Sequence, residues 1–236
     1  ETFLNRFGKS TYMKYGNLTV IGTSHIASES LNEVKQVIEA EKPDIIALEL
    51  DNKRLSALFS KKQSKFRWAD IRRVGIKGYL FSLIGAYAER KLGSKVGVSP
   101  GSEMLSAFRL AKKSGAKVAL IDQDIEITLR RFSDSLSWLE KWHFVVDILK
   151  AIIFRKSDIS FDLSSVPDSA LIHKLILQVR KRYPNLYRVL IVERNKVMAH
   201  NLANIHMQFP ESKIVAVVGA GHEDAIIKLF KQEIRG

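Results

Sequence analysis

The chain has 236 residues, 46% of them hydrophobic, which is enough for one domain with a substantial core. The sequence has no run of eighteen apolar residues and no cysteine, which excludes a transmembrane helix within it, disulfides and a thiolate nucleophile. Its net charge of +13 favours an anionic partner, but no nucleic-acid-binding signature accompanies the charge. We therefore expect no nucleic-acid partner.

Two short motifs near opposite ends of the chain share one pattern. A β-branched run precedes Gly22 and His25, and a second such run precedes Gly219 and His222. Apolar runs of this length are typical of parallel strands that are buried on both faces. In an open α/β sheet, residues just past the carboxyl ends of the strands line one crevice. The two histidines are therefore expected to meet in one site.

Two further strands, at 44–50 and 117–121, also end in polar groups. Those groups are Glu49, Asp51, Arg54, Asp122 and Asp124. A carboxylate within an apolar strand is costly to bury alone, so Glu49 should contact Arg54, a histidine or a cation. A simple ion pair between Glu49 and Arg54 is the alternative to a role in a site. Asp122 and Asp124 can instead cap the helix that follows them.

The rest of the chain is predicted to be mostly helical. Two stretches are too long for simple connections, and we predict helical insertions at about 61–98 and 125–208. Within the second insertion, Leu139 and Trp142 recur at a spacing typical of a buried helix face. We therefore predict an α/β fold class with a mainly parallel sheet and two helical insertions, forming a single domain over residues 1–236.

Two more carboxylates lie in unusual places. Glu193 falls on an apolar helical stripe with Leu190 and Val197, where it would be buried, and an Arg from a neighbouring helix could neutralise it there. Glu103 lies at the start of a helix, and the helix dipole alone could explain its position. Two histidines with several carboxylates form a ligand set that suits a divalent transition metal.

The motifs resemble the TraB/PrgY family, which contains the bacterial pheromone-shutdown protein. The resemblance rests on Gly22 to His25, Glu49 with Arg54, Pro100 to Glu103, Asp122 to Asp124 with Thr128 and Arg130, Glu193 to Asn195 with Met198, and Gly219 to His222. The family looks related to the TIKI metalloproteases and, more distantly, to ChaN-like and erythromycin-esterase proteins, which implies the same α/β core. Gln123 departs from the pattern, because the family commonly has Asp-Arg-Asp there.

The resemblance also implies an activity. TIKI relatives are described as peptidases that depend on manganese or cobalt, so it implies a divalent metal ion, with zinc as an alternative, and a pheromone-type peptide substrate. The implied metal ligands are His25, Glu49 and His222. To these we add Glu193 or Glu103 as the expected general base and Arg54 as the group expected to stabilise a developing oxyanion. ChaN-like proteins bind haem instead, and this leaves open a non-catalytic domain that sequesters a peptide or cofactor.

A basic segment suggests a membrane partner. Residues 52–98 contain twelve Lys or Arg against two acidic residues, a net +10, beside an apolar run from Tyr79 to Tyr87. An anionic membrane surface would bind such a segment, although a core helix with basic flanks is the alternative. Family members often continue into membrane-spanning helices that are absent before Gly236, so we expect a soluble, membrane-associated domain on the cytoplasmic side. The sequence leaves homo-oligomerisation open.

Overall fold

A computed structural model describes residues 2–7, 10–23, 28–59, 102–140, 142–143, 146–147 and 169–235. His25 and the predicted insertion at 61–98 lie outside these ranges. Most of the basic segment 52–98 also lies outside them. The expectations attached to these residues remain predictions.

A six-stranded sheet forms the centre of the fold, in the order β1-β2-β3-β6-β4-β5. The strands are β1 (Thr2–Phe7), β2 (Ser10–Tyr15), β3 (Leu18–Thr23), β4 (Ile45–Leu48), β5 (Lys117–Leu120) and β6 (Ile214–Gly219). The four strands predicted from apolar runs pair in parallel, whereas β1 and β2 extend the sheet as an antiparallel hairpin beside β3. The predicted α/β fold class is confirmed.

Helices cover both faces of the sheet. They are α1 (Ser28–Glu41), α2 (Asn52–Phe59), α3 (Ser102–Ser114), α4 (Ile125–Ser135), α5 (Ser169–Arg182), α6 (Pro184–Tyr187), α7 (Arg194–Gln208) and α8 (Glu223–Glu233), and a π-helical segment (Arg188–Glu193) joins α6 to α7. Ile45 and Ala47 pack in the cluster formed with α7 and α8. Ile46 and Leu48 pack in the cluster formed with α1 and α3. This alternation explains why the strand is apolar throughout.

The described part of the predicted insertion at 125–208 is mainly helical, but its expected buried stripe differs. Leu139 and Trp142 are 62% and 63% exposed. Helical spacing places these side chains on a common face but does not determine whether another element covers that face. Among the described helices, none is both long and apolar enough to cross a membrane.

Candidate functional site

The second Gly-x-x-His motif lies against the strand that carries the first. β3 and β6 pair in parallel with Thr23 opposite Gly219, and the Ala220 amide donates a 2.9 Å hydrogen bond to the Thr23 carbonyl. The chain then turns, and buried His222 occupies the N-cap position of α8. A Cβ at Gly221 would lie 2.9 Å from Ile176 Cδ1, so α5 packs closely over this turn. The predicted approach of His25 to His222 involves a residue outside the described ranges.

His222 faces Glu49 with a defined ring orientation. His222 Nδ1 lies 2.5 Å from the side-chain oxygen of Asn195 on α7. An amide oxygen accepts hydrogen bonds only, so Nδ1 carries the donated proton. His222 Nε2 lies 3.5 Å from Glu49 Oε1. In the neutral tautomer, a nitrogen lone pair would face a carboxylate oxygen, and a proton or a metal cation would relieve their repulsion.

Backbone and side-chain donors hold Glu49 in place. Its Oε2 accepts a 2.6 Å hydrogen bond from the Gly219 amide, which belongs to the second motif. Its Oε1 accepts a hydrogen bond from Arg194 Nη2. The sequence predicts a cation, a histidine or Arg54 as the partner of Glu49. The structure supplies Arg194 and His222 instead of Arg54, so the Glu49–Arg54 ion pair considered from the sequence is wrong.

Arg194 is the central cation of the site. It donates from Nε to Asp122 Oδ1 at 2.9 Å and from Nη2 to Asp122 Oδ2 at 2.7 Å, in the bidentate geometry that suits a guanidinium. Burial opposes its charged form, but the hydrogen bonds and charges of Asp122 and Glu49 outweigh burial and raise the pKa of Arg194. Arg194 therefore stays charged and joins the ends of β4 and β5.

Arg54 reaches the same network from its rim. Asp51 Oδ1 accepts hydrogen bonds from the backbone amides of Lys53 and Arg54 at 2.7 and 3.1 Å, which fixes the start of α2. Arg54 Nη1 then donates to Asp122 Oδ2 at 2.6 Å. Its side chain is 35% exposed, so Arg54 is the more accessible of the two guanidinium groups bound to Asp122.

The partner of Glu193 is not one of the residues predicted to form the site. Its carboxylate accepts hydrogen bonds from Arg131 Nε and Nη2 at 2.5 and 2.8 Å, and Arg188 lies 3.8 Å away. Neither Arg54 nor His222 is its partner. The hydrogen bond from Arg131 outweighs burial and lowers the pKa of Glu193. This is the alternative in which a neighbouring helix neutralises the carboxylate.

The π-helical segment explains why Arg194 and Asn195, rather than Glu193, reach the site. It ends at Glu193, immediately before α7 begins. Its wider turns rotate the following residues away from the phase that an unbroken α-helix would give. The apolar stripe predicted with Leu190 and Val197 applies only to an unbroken α-helix. Irregular π-helical turns are frequent at functional sites, but the sequence around Glu193 carries no direct signal for one.

The other predicted residues occupy separate positions. Glu103 is buried in the first turn of α3, which runs antiparallel to β5 and therefore begins at the carboxyl edge of the sheet. Asp124 caps α4 by accepting from the Glu126 amide at 2.7 Å, as one alternative proposed. Gln123 donates to the Thr128 hydroxyl at 3.0 Å, so this position contributes to the start of α4.

Two of the described side chains have the spacing of metal ligands. His222 Nε2 and Glu49 Oε1 are separated by 3.5 Å, and two ligands of a tetrahedral metal with bonds of roughly 2.1 Å would lie about 3.4 Å apart. The hydrogen bond from His222 to Asn195 is the outer-shell contact expected for a histidine ligand. Within the described ranges no group of three His, Cys, Asp or Glu side chains could hold a metal. His222 and Glu49 thus have the spacing of two metal ligands, and the described residues offer no third.

Comparison with known proteins identifies the family. The model of the TraB/PrgY/gumN family matches residues 13–233. An uncharacterised protein of Methanocaldococcus jannaschii is 33% identical over 92% of this chain and 54% of its own length. The human TraB domain-containing protein is 25% identical over 91% of this chain and 63% of its own length. The chain thus spans between about half and two thirds of these curated relatives. The chain belongs to the TraB/PrgY/gumN family.

Proposed function

We propose that this edge of the sheet is the site of a metal-dependent hydrolase, acting on a peptide. One observation carries the proposal: His222 Nε2 and Glu49 Oε1 face each other at 3.5 Å, at the spacing of two metal ligands. His222 and Glu49 would hold the cation together with His25, which the family resemblance implies as a ligand. Manganese or cobalt is the metal implied by the same resemblance, with zinc as the alternative.

Residues of this chain would prepare the ligands before any metal arrives. Asn195 fixes the ring of His222, and the Gly219 amide with Arg194 fixes the carboxylate of Glu49. Such outer-shell contacts keep ligands in one geometry and reduce the ordering cost of binding. The bound metal would supply an activated water and polarise a carbonyl group.

Arg54 and Glu103 complete the proposed roles. The guanidinium of Arg54 is at the accessible rim of the network, where it would stabilise negative charge on a substrate oxygen. Glu193 is a poor general base because its partner Arg131 lowers its pKa. Glu103, buried in a helical turn at the same edge of the sheet, is the other carboxylate that the sequence indicates for that role.

Peptide turnover tests the proposal. The chain would be stripped of metal, reloaded with manganese, cobalt or zinc, and incubated with a mixed peptide library analysed by mass spectrometry. We expect cleavage that depends on added metal and is abolished by His222→Ala, whereas Glu193→Gln retains it. Metal-dependent peptide binding without cleavage would instead identify a sequestering domain, and cleavage unaffected by His222→Ala would contradict the proposed site.

A further inference from the structure

Glu223, which the sequence motifs did not single out, lies where the two Gly-x-x-His motifs meet. It follows His222 as the first residue of α8, and its side chain extends back over Gly22 at the end of β3. A Cβ at Gly22 would lie 3.1 Å from Glu223 Cδ and would collide with Oε2. The first motif therefore has glycine where the carboxylate of the second motif needs space.

The position of Glu223 in the first turn of a helix does not explain why its carboxylate is partly buried without a described cation. A carboxylate there normally gains from the helix dipole, which favours its charged form. Here the carboxylate lies against Gly22 in a partly buried position, and the next residue, Asp224, is acidic as well. Within the described ranges, no residue donates a hydrogen bond to its carboxylate or forms an ion pair with it.

Glu193 provides a comparison within the same chain. It is also partly buried, but Arg131 donates two hydrogen bonds to it. Glu223 is partly buried without a described cation, and this arrangement costs free energy unless a ligand supplies the positive charge. Carboxylates left in this state are concentrated at binding and catalytic sites.

The charges along the sheet edge are unevenly distributed. The strand order places Glu223 over β3, His222 after β6, Glu49 after β4 and Asp122 after β5. Two guanidinium groups, those of Arg54 and Arg194, bind at the β5 side. The β3 side has the carboxylate of Glu223 instead. A substrate crossing this edge would therefore place positive charge towards β3.

We propose that Glu223 is a specificity-determining residue that binds an ammonium group of the substrate at the β3 side of the site. This inference rests on the proposed function, since it concerns the substrate of the same site. Neighbouring strands are about 4.8 Å apart, so β3 lies roughly 5–10 Å from the strands that carry His222 and Glu49. Two or three residues of extended peptide span this distance, which suits the amino terminus of a short peptide.

The test measures binding and cleavage separately, with the whole chain and three synthetic pentapeptides of otherwise equal sequence. One has a free amino terminus, one is N-acetylated, and one is N-acetylated with a lysine near its start. We expect the parent protein to bind the free peptide about tenfold or more tightly than the acetylated one, because a charge-assisted hydrogen bond is lost. If the lysine peptide regains the binding that is lost on acetylation, the ammonium group can come from a side chain.

Glu223→Gln keeps the shape of the side chain and should remove this preference, whereas the matched Asp224→Asn variant should keep it. In Gly22→Ala, the new Cβ would displace the Glu223 carboxylate, so this variant should also show a smaller preference for the free peptide over the acetylated one. Equal binding of free and acetylated peptides by the parent protein, or an unchanged preference in Glu223→Gln, would overturn the inference. Glu223-dependent binding without cleavage would refute only the hydrolase proposal, and equal cleavage of both peptides would refute only the role of Glu223.

Discussion

Replacing Arg194 by methionine should destabilise the fold far more than removing a comparable surface cation. The side chain of Arg194 is 15% exposed, and those of its partners Asp122 and Glu49 are 1% and 3% exposed. The methionine variant keeps most of the apolar volume but leaves both carboxylates without this cation. Asp122 would retain Arg54 at the rim, and Glu49 would retain the Gly219 amide.

The expected loss follows from this burial. Breaking a buried ion pair by removing one partner costs about 3–5 kcal/mol, since the remaining charge stays desolvated. For a domain of this size, each kcal/mol lowers the melting temperature by about 2–4 °C, so the fall should be roughly 6–20 °C. The matched control is Arg131→Met, which removes the partner of Glu193. Arg131 is 54% exposed, and surface pairs contribute about 0–1 kcal/mol.

Thermal and urea denaturation, both followed by circular dichroism, would measure both variants against the parent protein. We expect a clear decrease in the midpoint for Arg194→Met and a small one for Arg131→Met, with similar slopes in urea. If the two variants lose equal stability, Arg194 is not the cation that compensates the buried carboxylates. Arg194→Lys should recover only part of the loss, because an ammonium group cannot make the bidentate contact with Asp122.

Three further predictions concern the site and its surroundings. Asn195→Ala should weaken metal binding about 10–100-fold by freeing the ring of His222, and calorimetric titration should find no such loss for Asn201→Ala on the same helix. Burial and Asp224 raise the pKa of Glu223 to about 7. Protonated Glu223 should therefore stabilise the folded state at pH 4, and this stabilisation should be lost as the pH rises through 7. Glu223→Gln should remove this part of the pH dependence in denaturation curves. The segment 52–98 should bind anionic but not neutral liposomes in co-sedimentation, and binding that survives charge reversal would contradict a lipid contact. The positions to reverse are Lys61, Lys62, Lys65 and Arg67.

The sequence predicts the sheet and the middle of the site because both depend on simple regularities. Apolar runs identify the parallel strands, and the carboxyl ends of such strands lie along one edge. Glu49 and His222 therefore come together although 173 positions separate them in the chain. The cost of burying a carboxylate also predicts that Glu49 has a positively charged partner.

The same regularities do not predict that Arg194 is the partner of Glu49. An arginine on a helix normally indicates a solvated surface, whereas Arg194, which directly follows a π-helical segment, reaches the buried Glu49. The same segment leaves Glu193 beside Arg131 rather than among the strand-end residues. The contact between Gly22 and Glu223 depends on β3 lying beside β6, which is a property of the folded sheet.

Metal analysis of the purified chain tests most directly whether His222 and Glu49 hold a divalent metal. Protein prepared without chelator would be measured by inductively coupled plasma mass spectrometry, alongside His222→Ala and the surface control His200→Ala, whose side chain is 59% exposed. We predict about one manganese, cobalt or zinc ion per chain in the parent and His200→Ala proteins, and a loss of that ion in His222→Ala. Two results would contradict this metal site: a parent protein that contains no metal even after it has been reloaded with one of these ions, or a His222→Ala variant that retains the full amount of metal.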